Sequence, residues 1–94
     1  MDPQTEERRG HEAQSVLQNG IYKEAYQAIR DNIVTQLSLA DTPDDRRKRL
    51  NDLLIALGKV DGYMRQVMLS GTMAAQEIER QRTLAERVKG RFRA

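Results

Sequence analysis

The chain has no cysteine and no tryptophan, one histidine, one phenylalanine and two prolines. Without cysteine there is neither a disulfide framework nor a thiolate metal site. The one imidazole, His11, has no ligand or carboxylate at a useful spacing and reads as a surface residue. Aromatic residues make up 4% of the chain, so each buried position contributes a modest area. The longest apolar run, Leu53-Leu54-Ile55-Ala56-Leu57, falls far short of the roughly 18 residues a membrane span needs. The N-terminal stretch Met-Asp-Pro-Gln-Thr-Glu-Glu-Arg-Arg has no apolar core of the kind a secretory signal carries. The expectation is a soluble, intracellular protein.

Chemistry-bearing patterns are equally scarce. Gly58, Gly62 and Gly71 are spread along helical sequence and lack the Lys-Ser/Thr ending of a phosphate loop. The carboxylate pairs Glu6-Glu7 and Asp44-Asp45 lie at helix starts, where the dipole accounts for them. Glu77 and Glu79 are two apart and do not face each other on a helix. These absences predict a non-enzymatic protein with no cofactor, no metal and no small-molecule substrate. A chain of 94 residues buries only about 60–65% of its unfolded surface. A lone compact monomer is therefore marginal, and an extended helical hairpin or an oligomer is expected.

What is present is helical periodicity. Residues 1–10 are polar and unperiodic and read as a flexible arm. Residues 11–18 suggest a short helix with Ala13, Val16 and Leu17 on one side. Asn19-Gly20 reads as a helix stop, since both residues tolerate the left-handed conformation of a C-cap. Tyr22, Tyr26, Ile29, Ile33 and Leu37 recur at steps of three and four and predict a helix over 21–39. Thr42-Pro43-Asp44-Asp45 marks the next start, with Thr42 as N-cap and Pro43 at the first helical position. Leu50, Leu53, Leu57, Val60, Met64 and Val67 then form a heptad seam on a helix over 43–70. Ser70-Gly71 ends or bends it, and residues 72–90 resume helical composition with a weak seam.

A connection of three or four residues between the two strong helices makes them antiparallel neighbours. The expected fold is all-α. It is a long antiparallel αα-hairpin (11–78) with a short N-terminal helix, preceded by the arm (1–10) and followed by a basic helical extension (79–94). Tyr22 and Tyr26 sit on the stripe, read as core with their hydroxyls reaching solvent. Gly58 and Gly62, four apart, are read as either a close-packing face or a weak point. Leu54, Ile55 and Met68 widen the apolar face beyond what a hairpin covers, and Tyr63 lies one residue off the seam. These four are candidate interaction residues, marking a homo-oligomer or a larger assembly.

Charge is unevenly placed. Residues 1–43 carry net −3 and residues 44–94 net +5. Arg46-Arg47-Lys48-Arg49 reads as a solvated face, with Asp44 and Asp45 four residues ahead of Lys48 and Arg49. Arg80, Arg82, Arg87, Lys89, Arg91 and Arg93, with Phe92 among them, form a second cluster suited to nucleic acid or an acidic partner. No base-reading element accompanies it.

The stretch Ala40-Asp41-Thr42-Pro43-Asp44-Asp45-Arg46-Arg47, with Leu50, Leu57-Gly58-Lys59-Val60, Met64, Val67 and Gly71, resembles small helical proteins that tailed bacteriophages encode near their packaging and virion genes. The likeness covers residues 13–78 and brings no catalytic residues. It implies a structural or assembly role, through helix-mediated protein–protein contact in the virion or its assembly machinery. Host cytoplasm or virion is the location it implies, and other phage structural proteins are the partners. The alternative is a small DNA-binding or DNA-packaging accessory protein that uses the basic C-terminal segment.

Overall fold

The computed structural model describes residues 1–92. They form three helices, α1 (Pro3–Gln18), α2 (Gly20–Leu37) and α3 (Asp44–Phe92), and no strand among the described residues. The protein is all-α. Its chain divides into two compact units, Ser15–Met64 and a second made of Met1–Gln14 with Arg65–Ala94.

The helix starts are set by short polar side chains. At α1 the Asp2 carboxylate accepts a hydrogen bond from the Thr5 amide at 2.8 Å, and the Asp2 carbonyl accepts from the Glu6 amide at 3.1 Å. Pro3 follows at the first helical position, where its missing N–H leaves nothing unpaired. Residues 3–10, expected in an unperiodic arm, are therefore helical. The Asp-Pro pair is the same start signal as Thr42-Pro43, without an apolar stripe behind it.

The bond from the Thr5 amide holds the Asp2 carboxyl below its ordinary value. A carboxylate lowered in the folded state contributes stability that is present above its unfolded value and lost as pH falls through the folded one. The first turn of α1 is therefore expected to fray below about pH 4. Protection of the Thr5 amide, taken relative to its intrinsic exchange rate at each pH, should fall there in the parent and stay flat in Asp2→Asn, which caps without titrating. A parent profile as flat as the variant's would remove Asp2 from the cap.

Asn19 is an N-cap rather than a stop. Its backbone is extended, with φ −65° and ψ 128°, and its side-chain oxygen accepts from the Tyr22 amide at 3.0 Å. No described residue has positive φ, so no left-handed cap ends α1. Gly20 opens α2 instead.

In the Ser15–Met64 unit, Ile33 of α2 and Leu50 of α3 are the buried large apolar residues. Tyr22 and Tyr26 are half-buried with ring centroids 6.2 Å apart. The Tyr22 hydroxyl oxygen is buried instead of reaching solvent. Residues 38–43 connect α2 to α3, a longer connection than expected. The Thr42 hydroxyl donates to the Gln36 carbonyl at 2.8 Å, and the Pro43 carbonyl accepts from the Arg47 amide at 2.9 Å. Thr42 thus serves the end of α2, and Pro43 stands one position outside the expected first turn. The Arg46–Arg49 run is also more than a solvated face. Arg49 pairs with Asp45 at 3.1 Å as anticipated, but half-buried Arg47 reaches back into the connection.

In the other unit α1 meets α3 at backbone contact. A Cβ built on Gly10 would lie 2.8 Å from the Gly71 Cα, and one on Gly71 would lie 2.7 Å from the Gly10 Cα. Both glycines are buried, as are Ala13 and Ala74 three residues further on. Gly71 does not end the helix, since α3 runs through it to Phe92. Among the described residues, the helix's own backbone aside, nothing lies within 4 Å of a Cβ added at Gly58 or Gly62. The close approach considered for those two belongs to Gly10 and Gly71.

Candidate protein-interaction groove

Helical spacing places Ile29, Asn32, Ile33 and Gln36 on one side of α2, and Leu50, Leu53, Leu57 and Val60 on one side of α3. The two rows, with Ala28 and Ala56, line one open groove of about 600 Å³ inside the Ser15–Met64 unit. No lining residue carries a charge. Asn32 and Gln36 share a side-chain hydrogen bond, and Gln36 also accepts from Arg46 at 2.6 Å.

The heptad seam was expected to close this space. Leu50 is buried and Leu57 half-buried, but Leu53 is 56% exposed and Val60 53%. Opposite them Ile29 is 51% exposed. No large side chain among the described residues is fully buried. The seam residues read as internal core are therefore the ones that leave apolar surface in water.

The four residues singled out for interaction are dispersed. Leu54 is half-buried, while Ile55 and Tyr63 are exposed; none of the three lines the groove. Ile55 is two residues from Leu53 and from Leu57, so it points to the opposite side of α3. Met68 lies in the other unit, where it lines a small cleft with Gly10, His11, Gln14, Gly71, Thr72 and Ala75. His11 itself is exposed.

The basic segment is partly self-neutralised. Arg80 donates two bonds to Glu77, at 2.9 and 2.7 Å, and Arg82 one to Glu79 at 2.8 Å. The Arg80 bonds hold the Glu77 carboxyl below its ordinary value. The partnered guanidiniums of Arg80 and Arg82 are raised, by hydrogen bonding first and charge second. Such exposed pairs add little stability. They do reduce the positive field available to a phosphate chain. Arg87, Lys89 and Arg91 are exposed in the last turns, where Lys89 and Arg91 complement the negative end of the helix dipole. Arg93 lies outside the described residues.

Among the described residues no group of three His, Asp or Glu side chains is arranged to hold a metal ion. Among them, too, no helix is long and apolar enough to cross a membrane. No known protein family, curated protein or solved structure matches this chain.

Proposed function

We propose that this chain is a non-enzymatic assembly protein of bacteriophage type, acting through helix-mediated protein–protein contact in a virion or its assembly machinery. Its working part is an antiparallel αα-hairpin made of α2 and the first half of α3. The observation that carries the reading is the uncharged groove rimmed by Ile29, Leu53 and Val60, each more than half exposed. Apolar residues in register on two neighbouring elements leave contiguous surface that a partner removes from water at about 25 cal/mol per Å². Such patches mark interaction sites. The resemblance over residues 13–78 supports the phage setting.

Light scattering across a salt series, with and without duplex DNA, tests this. Apolar assembly gives a mass above 10.8 kDa that holds from low to high salt. Nucleic-acid binding through Arg87, Lys89 and Arg91 instead gives a DNA complex that dissociates steeply with salt. DNA binding with no self-association at any salt would favour the packaging-accessory reading and overturn this one.

A further inference from the structure

Asn19-Gly20 stands where α1 gives way to α2, and both residues are exposed. We propose that this pair is a self-modification site. The Asn19 carboxamide is hydrolysed to a carboxylate through a cyclic imide with the Gly20 amide. The cap that Asn19 makes on α2 holds the reaction off until the first turn of that helix opens.

Water is the one co-reactant. The Gly20 nitrogen attacks Asn19 Cγ and forms an N–C bond. The Cγ–Nδ2 bond breaks, and the Gly20 amide proton leaves with Nδ2 as ammonia. Water then opens the imide. Addition at Cγ restores the main chain and leaves aspartate. Addition at the main-chain carbonyl leaves isoaspartate, with the chain running through Cβ and Cγ. Nothing is oxidised or reduced. Gly20 makes Asn19 the most reactive of the chain's three asparagines, because it has no side chain to shield the attacking nitrogen. Among the described residues, the helix's own backbone aside, nothing lies within 4 Å of a Cβ added at Gly20. Asn32 and Asn51 are followed instead by Ile33 and Asp52, whose side chains crowd that nitrogen.

The folded geometry opposes attack. Ring closure needs the Gly20 nitrogen and the Asn19 Cβ eclipsed about the Cα–C bond, and at ψ 128° the nitrogen is turned away from Cβ. The Asn19 side-chain oxygen accepts from the Tyr22 amide at 3.0 Å, and its carbonyl accepts from the Lys23 amide at 3.0 Å. Turning ψ swings the carbonyl off Lys23, and aiming Cγ at Gly20 releases Tyr22. Both bonds belong to the first turn of α2, so reaction waits for that turn to open. An aspartate product can resume the cap, with its charge at the positive end of the helix dipole. Isoaspartate adds a main-chain carbon between the two residues and takes the carboxyl out of capping position.

The test ages the whole chain at mildly alkaline pH, folded and unfolded in guanidinium chloride. The tryptic peptide over residues 10–23 is then read by mass for loss of the carboxamide and by chromatography for isoaspartate. The unfolded chain is expected to react at Asn19 first. The folded chain should react at least about tenfold more slowly, by a factor that follows the exchange protection of the Lys23 amide. Ala25→Gly, at an exposed position in the second turn of α2, should raise the folded rate about two- to fivefold and leave the unfolded rate unchanged. Equal rates in the folded and unfolded parent overturn the inference, as does reaction at Asn32 or Asn51 ahead of Asn19 in the unfolded chain. If Ala25→Gly does not fold, the parent decides: a slowing that departs from the Lys23 protection by more than about tenfold overturns the role of the cap.

Discussion

Gly71→Ala is expected to destabilise the protein by about 1–3 kcal/mol, although alanine is the better helix residue. The added methyl would fall 2.7 Å from the Gly10 Cα and 3.0 Å from the Glu6 carbonyl oxygen. Both are backbone atoms, so no side chain can rotate away and α1 must shift from α3. Ala13 and Ala74, buried three residues beyond the glycines, would become more exposed as the helices separate. Gly10→Ala should behave alike, because its methyl meets the Gly71 Cα at 2.8 Å. Gly58→Ala and Gly62→Ala have the opposite expected sign. Among the described residues, the helix's own backbone aside, nothing lies within 4 Å of either Cβ, so the gain in helix propensity, up to about 1 kcal/mol, is unopposed. Urea midpoints for the four variants give the comparison directly. A Gly71→Ala midpoint at or above the parent's would show that α1 and α3 do not meet at backbone contact.

The contrast between these glycines shows what periodicity can carry. The Tyr22–Leu37 stripe and the seam from Leu50 announced α2 and the start of α3, because large apolar residues at steps of three and four leave a strong repeating signal. The Gly10–Gly71 contact leaves almost none. Its packing face is built from glycine and alanine, whose hydropathy resembles that of a loop, so residues 3–10 read as an arm and Gly71 as a breaker. The Asp2-Pro3 start was legible but went unread for want of a stripe behind it. Asn19 was misread because the same residue type caps either end of a helix, and only the backbone angle decides which. For the candidate groove the limit is different. Spacing identified Leu53 and Val60 as sharing a face with Leu50 and Leu57. It could not say how near the facing helix comes. That distance decides whether a seam is a closed core or an open groove. Ile55 and Tyr63 lie off the seam and are exposed as their positions imply, without gathering into one patch.

The connection after α2 depends on a residue that charge counting passed over, and its removal is the second large effect expected. α2 ends without a glycine, so its last carbonyls need other donors. Val34 and Thr35 accept from the Ser38 amide, and Gln36 accepts from the Leu39 amide and the Thr42 hydroxyl. Leu37 accepts from Arg47 at 2.6 Å. The same guanidinium also donates to the Leu39 carbonyl and, at 3.2 Å, to the Thr42 carbonyl. One planar fork thus ties three points of residues 37–42 to the first turn of α3. Hydrogen bonds from a charged donor contribute about 1.5–3 kcal/mol each. Partial exposure and the long third bond reduce the sum, so Arg47→Met is expected to cost about 2–3 kcal/mol. Arg47→Lys should recover less than half of that, because an ammonium point charge cannot face three carbonyls at once. Arg46→Met is the control: exposed Arg46 makes one side-chain bond, to Gln36, and its loss should stay within about 0.5 kcal/mol. Hydrogen exchange at Leu39 and Thr42 should accelerate in Arg47→Met while α1 amides stay at parent rates. If Arg47→Met and Arg46→Met unfold at the same urea concentration, with unchanged exchange at Leu39 and Thr42, the fork does not hold the connection.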